Sequence, residues 1–147
     1  MNIGIIGAGK LGSALAIALS KCGFCISGIC SKSEESSQLL CRKLDIDEIN
    51  SIEATVQKSN VIFLCVPDNH IDSVALSTAA YFKNQSLESK VFFHLSGALT
   101  SEVLIPLENL GAFVGSFHPI QTFADRDNSW QKLYKCFFGF EGCSEAA

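Results

Sequence analysis

The chain has 147 residues, of which 48% are hydrophobic and 18% charged, and its formal net charge at pH 7 is -4. This length suffices for one domain with a buried core, and no apolar run approaches the roughly 20 residues that a membrane-spanning helix needs. The negative charge and the lack of a Lys/Arg cluster argue against a nucleic-acid-binding surface, which requires concentrated positive charge. The N-terminus lacks the basic region and cleavage site of a signal peptide. We therefore expect one cytoplasmic domain over residues 1–147, with neither nucleic acid nor membrane as a partner.

Short apolar runs alternate with longer amphipathic stretches along the chain. The predicted strands are Asn2 to Ile6, Phe24 to Cys30, Asn60 to Val66, Lys90 to Leu95, Ala112 to Phe117 and Lys135 to Phe140. The predicted helices are Lys10 to Cys22, Ser33 to Lys43, Ile52 to Lys58, Asn69 to Phe82 and Ser101 to Leu110. This alternation favours a doubly wound, mainly parallel α/β sheet with helices on both faces. The third run is apolar at consecutive positions, which predicts a central strand.

The first predicted strand leads directly into Gly7-Ala8-Gly9-Lys10-Leu11-Gly12, which opens the first predicted helix. The spacing G-x-G-x-x-G between a strand and a helix is typical of a turn that binds a dinucleotide. In such a turn the first glycine allows the bend, the second leaves room for the pyrophosphate, and the third lets helix and strand approach. The alternative is a glycine turn that only connects the two elements.

The choice of dinucleotide depends on the end of the second strand, where NAD-binding proteins usually offer Asp or Glu to the ribose. Here the strand ends in Ser31-Lys32-Ser33, which has two hydroxyls, one cation and no carboxylate. This loop favours a 2′-phosphate, and we therefore predict NADP(H), with NAD(H) as the disfavoured alternative. The same residues also fit a helix capping box, with Ser31 at the N-cap and Glu34 three residues later.

The carboxyl ends of the next two strands can complete a ligand site, because ligands of open parallel sheets bind there. After the third strand, the backbone of Val66 and Pro67 is predicted to contact the cofactor, while Asp68 or Asn69 caps the next helix. After the fourth strand, Ser96 and Gly97 form a small polar opening that suits the edge of a nicotinamide. The preceding His94 is expected to be a buried histidine with satisfied ring nitrogens.

His118 is the candidate catalytic residue. It lies at the end of the fifth strand, where Pro119 stiffens the chain, and an imidazole there can act as a general acid or donate a hydrogen bond to a substrate oxygen. Gln121 and Thr122 either line the same opening or pack within the loop. The remaining histidine, His70, is expected at the surface.

Seven cysteines are scattered along the chain, which is not the pattern of a secreted disulfide scaffold. Cys22 and Cys25 have the C-x-x-C spacing of redox pairs, but they fall at a predicted helix C-terminus, whereas redox thiols lie at helix N-termini. We expect a structural role, with Gly23 ending the helix. The spacings of Cys and His predict no metal site.

Four stretches together resemble one bacterial family: Gly-Ala-Gly-Lys-Leu-Gly, Cys-Val-Pro-Asp, His-Leu-Ser-Gly-Ala-Leu and Gly-Ser-Phe-His-Pro-Ile-Gln-Thr-Phe-Ala-Asp. It is a family of oxidoreductases with an N-terminal Rossmann-like domain and an uncharacterised C-terminal helical domain. Its nucleotide domain is similar to those of pyrroline-5-carboxylate reductases, prephenate dehydrogenases and the 6-phosphogluconate dehydrogenase superfamily. The resemblance implies hydride transfer between NADP(H) and a small substrate, and His118-Pro119 resembles the His-Pro of prephenate dehydrogenases, whose histidine assists oxidation of a hydroxyl.

Members of that superfamily usually continue into a helical domain that forms the dimer and completes the substrate site, whereas this sequence stops at Ala147. Residues after Phe140 are expected to begin the link to that domain. Two functions remain open. The chain is either the cofactor domain of an NADP(H)-dependent oxidoreductase, incomplete for catalysis and homodimeric only with the helical domain, or a non-catalytic module that senses NAD(P)(H).

Overall fold

The computed structural model describes residues 1–47, 50–126 and 128–142. Its strands are β1 (Asn2–Ile6), β2 (Cys25–Cys30), β3 (Val61–Leu64), β4 (Val91–His94), β5 (Phe113–Pro119) and β6 (Phe138–Gly142). Its α-helices are α1 (Lys10–Lys21), α2 (Glu34–Leu44), α3 (Ile52–Lys58), α4 (Asp68–Tyr81) and α5 (Ile105–Glu108). Two 3-10 segments, Ser101–Leu104 and Ser129–Lys135, complete the described elements.

The six strands form one sheet in the order β2-β1-β3-β4-β5-β6. Strands β1 to β5 run parallel, and β6 pairs antiparallel with β5. The predicted doubly wound, mainly parallel α/β sheet is therefore confirmed, as is the central place of the third strand. After β2 the chain crosses to the other side of β1, where it forms β3. The carboxyl ends of β1, β2 and β3 therefore lie together at the switch point where such sheets bind ligands.

Apolar side chains cover both faces of the sheet. On one face Ile5, Phe63 and Phe93 belong to a buried cluster with α1, and on the other Ile62 and Phe92 belong to a cluster with α4. Successive residues of a strand point to opposite faces, so a strand buried on both sides must be apolar at every position. The consecutive apolar residues of β3 therefore reflect burial by helices on each side.

The structure corrects several predicted boundaries. The predicted helix Ser101 to Leu110 is a 3-10 segment followed by the single turn of α5, with Pro106 in its first turn. Neither Asp68 nor Asn69 caps α4, because that helix begins at Asp68 and its N-cap residue is Pro67. The last strand starts at Phe138 rather than Lys135, so Glu141 and Gly142, which were expected to start a link, continue β6.

One segment carries a 3-10 helix that the sequence analysis did not predict. Residues 120–126 and 128–137 lie between β5 and β6, and we call them the strap. Within the strap, Leu133 is buried and Trp130 half-buried in the cluster that contains α1. The ammonium of Lys21, at the end of α1, lies 4.7 Å from the centre of the Trp130 ring. The strap is therefore packed against α1. Across the described ranges, no helix combines the length and apolarity needed to cross a bilayer.

Candidate nucleotide-binding site

The glycine turn between β1 and α1 is closely enclosed by backbone. Gly7 has φ +107°, and a Cβ there would lie 2.6 Å from the carbonyl oxygen of Cys65. The Gly7 amide donates to the Cys30 carbonyl at 2.7 Å. A Cβ at Gly12 would overlap the carbonyl oxygen of Gly7. Both glycines are therefore required by the fold, because a side chain at either position would collide with backbone.

Gly9 differs from the other two glycines because a Cβ there would meet nothing within 4 Å. It is the N-cap residue of α1, provides no side-chain cap, and is followed by no acidic residue in the first turn. The first N–H groups of α1 consequently have no side-chain acceptor, and the positive end of the helix dipole lies beside open space. This arrangement suits a phosphate group.

A cleft of about 590 Å³ joins this turn to the ends of β2 and β3. That volume is in the usual range for a small-molecule site. It brings together predicted site residues from three separate stretches of sequence: Gly7, Gly9, Ser31, Lys32, Ser33, Val66 and Pro67. No Asp or Glu is among the described residues that line it. The other residues of the turn lie outside it: Ala8 is buried, Leu11 packs against the core, and Lys10 lines an adjoining groove.

The predicted capping box at the end of β2 is wrong. The N-cap of α2 is Ser33, whose Oγ accepts from the Ser36 amide at 3.2 Å and from the Ser36 hydroxyl at 3.0 Å. The helix begins two residues later than a Ser31 cap would require, and the Glu34 carboxylate instead accepts from Gln38 at 3.1 Å. Because Ser33 caps the helix, Ser31 and Lys32 are not needed for that role and face the cleft.

His118 lies in a second, smaller cavity of about 230 Å³, together with Ser96 and Gly97. Its Nδ1 is 3.1 Å from the Leu95 carbonyl oxygen. Because a carbonyl only accepts, Nδ1 carries the hydrogen, and Nε2 is the acceptor in the neutral ring. Glu141 lines the same cavity, where its carboxylate accepts from the amide and the hydroxyl of Ser101, each at 2.7 Å.

The two cavities share no lining residue in the described part of the chain. The structure thus groups the predicted nicotinamide-side residues Ser96 and Gly97 with His118 rather than with the glycine turn. Gln121 and Thr122 line neither cavity, and the Gln121 side chain accepts from the Thr122 amide at 2.9 Å. Both residues are exposed, and the hydrogen bond between them is local to their loop.

His94 is a fully buried structural residue, as expected. Its Nε2 lies 3.1 Å from the Thr100 carbonyl oxygen, and its Nδ1 accepts from the Ser96 amide at 3.2 Å. Burial lowers the pKa of the imidazole, which outweighs the opposite effect of the hydrogen bond to Thr100. The neutral ring therefore orders the start of the loop that carries Ser96 and Gly97.

The sequence analysis missed four residues that line the cleft: Ser36, Cys65, His70 and Arg126. Ser36 could have been found from its position one turn into α2. His70 is exposed, as predicted, but at the rim of the cleft. Arg126 gives no signal in the sequence, because it is a single cation in a polar loop about 90 residues after the loop that it faces.

The six cysteines within the described ranges are free thiols. Cys22 and Cys25 are exposed and free, and Gly23, with φ +86°, ends α1 as predicted. Both lie at the C-terminal end of α1, whereas redox thiols lie at helix N-termini. Burial raises the pKa of the Cys30 thiol to about 11 and also raises that of Cys65. Cys143 lies outside the described residues, and among those described no cluster of His, Cys, Asp or Glu could hold a metal ion.

Residues 1–119 match the Rossmann-like domain family. Pyrroline-5-carboxylate reductase from Treponema pallidum is 31% identical over 103 residues, which cover 68% of this chain and 37% of the relative. Among solved structures, a candidate NADP oxidoreductase from Bacteroides fragilis has a TM-score of 0.77 and 26% identity, over 99% of this chain and 52% of that one.

A reductive aminase from Aspergillus terreus, solved in complex with NADPH, has a TM-score of 0.64 and 17% identity. The match covers 82% of this chain and 41% of the reductive aminase. At this identity the likeness concerns the fold alone. This chain therefore spans about half or less of the length of the relatives that it matches.

Proposed function

This chain belongs to the Rossmann-like domain family, and from that membership we propose that it is the NADP(H)-binding domain of an oxidoreductase that transfers hydride between the nicotinamide and a small substrate. One observation carries the proposal. The open position at Gly9 faces a cleft that runs from the N-terminus of α1 to Ser31, Lys32 and Ser33 without a carboxylate in its described lining.

In this proposal the glycine turn and the end of β2 bind different parts of the nucleotide. The pyrophosphate binds the free N–H groups at the start of α1, where Gly9 leaves room for it. The 2′-phosphate binds Ser31, Lys32 and Ser33, because a cation and two hydroxyls attract the dianion that a carboxylate would repel. The likeness to a candidate NADP oxidoreductase supports NADP(H) over NAD(H).

In this proposal, residues near the ends of β4 and β5 contact the nicotinamide and the substrate. The nicotinamide donates or accepts hydride when the cofactor is bound, while Ser96 and Gly97 offer backbone to its edge. His118 holds its hydrogen on Nδ1 against Leu95, so Nε2 is the nitrogen that exchanges a proton with a substrate oxygen or nitrogen. The substrate in this proposal is a small molecule of unidentified structure.

The separation of the two cavities favours a second candidate, a module that binds NAD(P)(H) without catalysis. His118 and the glycine turn share no lining residue, so nucleotide can occupy the cleft with no contact to His118. Consumption of NADPH with cyclic imines or keto acids, measured on full-length protein that includes the expected helical domain, would distinguish the two candidates. An oxidoreductase loses this activity in His118→Ala while keeping its affinity for NADPH. A sensing module binds NADPH and turns over none of these substrates.

Titration of the purified chain with NADPH and NADH, followed by nicotinamide fluorescence, tests the binding proposal. Lys32→Glu should weaken NADPH by about tenfold or more and leave NADH unaffected, since hydrogen bonds to charged groups contribute about 1.5–3 kcal/mol. Gly9→Asp should abolish binding of both nucleotides. Lys83→Glu, which makes the same charge change at an exposed position outside the cleft, is the matched control. The proposal is wrong if the unaltered chain binds neither nucleotide.

A further inference from the structure

Arg126 brings a second element of the fold to the nucleotide cleft. It lies in the strap, and it lines the cleft together with Lys32 and Ser33. We propose that Arg126 determines cofactor specificity by binding the 2′-phosphate of NADP(H), so that the strap and the β2–α2 loop contact this group together. The inference rests on the proposed function and extends it to a residue for which the glycine turn and the end of β2 give no indication.

The cavities place Arg126 at the phosphate end of the cleft. A groove of about 530 Å³ between α1 and α2 adjoins the cleft, and Ser36 and Arg126 line both spaces. Ser36 is held at the first turn of α2 by its bonds to the N-cap Ser33. Arg126 and Ser36 therefore both border the cleft where it adjoins the groove, the side on which the 2′-phosphate is proposed to bind.

This region has an excess of positive charge. Lys32 and Arg126 line the cleft, and Lys10 and Lys43 line the groove, whereas no described Asp or Glu lines either. Within the described ranges, the side chains of Lys10, Lys32 and Arg126 form no hydrogen bond or ion pair. Lys10, Lys32 and Arg126 lie around adjoining concave surfaces, where their charges attract an anion, and a guanidinium fits a phosphate with two parallel hydrogen bonds.

Asp125, one of the two carboxylates that flank Arg126 in the chain, is engaged within its own turn. Asp125 accepts from the Asn128 amide at 2.7 Å and from the Ser129 hydroxyl at 3.4 Å. The bond from Asn128 lowers the pKa of this carboxyl, which stays ionised as part of the turn. The described hydrogen bonds of Asp125 are therefore directed into the loop, to Asn128 and Ser129, rather than to Arg126.

The strap is also anchored on both sides of this turn. Ser129 is buried at one end of the turn, and Lys132 donates to the Thr122 carbonyl at 3.0 Å, which links the two sides. Trp130 packs beneath Lys21 on α1. Because these contacts hold described residues on both sides of Arg126, placing its side chain at the cleft costs little additional conformational entropy when the nucleotide binds.

The test compares Arg126→Gln with Lys135→Gln, which removes an exposed cation of the same strap that lines neither space. Affinities for NADPH, NADH, 2′,5′-ADP and 5′-ADP are measured by calorimetry. Arg126→Gln should weaken NADPH and 2′,5′-ADP by about tenfold or more, and should change NADH and 5′-ADP by less than about twofold. Lys135→Gln should match the unaltered chain for all four ligands.

Three results would overturn the inference. Equal losses for NADPH and NADH would mean that Arg126 contacts a part common to both, or acts through the fold. Unchanged NADPH affinity in Arg126→Gln, with binding by the unaltered chain, would remove Arg126 from the site and leave the proposed function standing. Failure of the unaltered chain to bind NADPH and 2′,5′-ADP would overturn the proposed function and this inference together. Arg126 is exposed, so thermal unfolding of the variant should match that of the control.

Discussion

The imidazole of His118 lies directly against Gly97: a Cβ on Gly97 would be 2.5 Å from Nε2 of His118 and 2.7 Å from each adjoining ring carbon. Gly97→Ala should therefore displace the ring from its bond to Leu95 and destabilise the chain by about 1–3 kcal/mol, as overpacking usually does. Denaturation by urea measures the loss. Gly139→Ala is the control, because its nearest neighbour would be the His118 carbonyl oxygen at 3.9 Å. Similar stability of the two variants would contradict the contact.

Gly12 and Gly9 of the glycine turn should differ in how much a substitution destabilises the chain. Gly12→Ala places a Cβ against the Gly7 carbonyl, where no flexible side chain can yield, so we expect a loss of stability of about 3 kcal/mol or more. Gly9→Ala has open space and an extended backbone, and it should cost about 1 kcal/mol or less. The urea midpoints of the two variants check this order. If Gly9→Ala unfolds as easily as Gly12→Ala, the assignment of their roles is wrong.

The cap of α2 gives a test on one loop. Ser33→Ala removes the acceptor for the Ser36 amide and should destabilise the chain by about 1 kcal/mol. Ser31→Ala, two residues earlier, should leave the unfolding free energy unchanged within about 0.5 kcal/mol, because Ser31 caps no helix. Equal losses of unfolding free energy in the two variants would contradict the cap at Ser33 and favour the predicted capping box.

Stability should fall in mild acid because of His94. Burial lowers the pKa of this imidazole in the folded chain, whereas the unfolded chain has the ordinary value of about 6.5. The unfolded state therefore binds the proton first as the pH falls, and the contribution of neutral His94 is present above about pH 6.5 and lost below it. Urea denaturation at about pH 7.5 and about pH 5.5 measures the decrease, with a limit of about 1.4 kcal/mol per pH unit for one proton.

The control for this titration is His70, which is exposed. Replacement of His94 by Gln should reduce the difference in stability between the two pH values, although the variant is less stable at both. Replacement of His70 by Gln should leave the difference as it is in the unaltered chain. An unchanged pH dependence in His94→Gln would assign the titration to other groups.

Thiol reactivity should follow burial. Cys22 and Cys25 are exposed, while Cys30 is buried and has a pKa raised to about 11. The reactive species is the thiolate, so iodoacetamide at neutral pH should modify the exposed pair well before Cys30. Peptide mass spectrometry follows each site, and prior unfolding in urea should make the rates similar. Rapid modification of Cys30 in the folded chain would contradict its burial.

The fold was largely predictable, because local patterns determine most of it. Alternating apolar runs placed the strands within a few residues, and the glycine spacing identified the turn between β1 and α1. The cap at Ser33 was misassigned because Ser31 and Ser33 have the same chemistry, and only the start of α2 distinguishes them. Arg126 and the separation of His118 from the cleft could not be predicted, since both depend on how distant segments pack around α1 and β5.

The packing of the strap on α1 gives the molecule an optical signal of its own. Trp130 is the single tryptophan of the chain, and it lies four residues from Arg126 with its ring half-buried under Lys21. Reduced nicotinamide absorbs where tryptophan emits, so bound NADPH should quench this emission through space while unbound cofactor does not. Cleft occupancy can then be read from unlabelled protein, and a Trp130→Phe variant, silent in the same assay, would show that the signal comes from the strap.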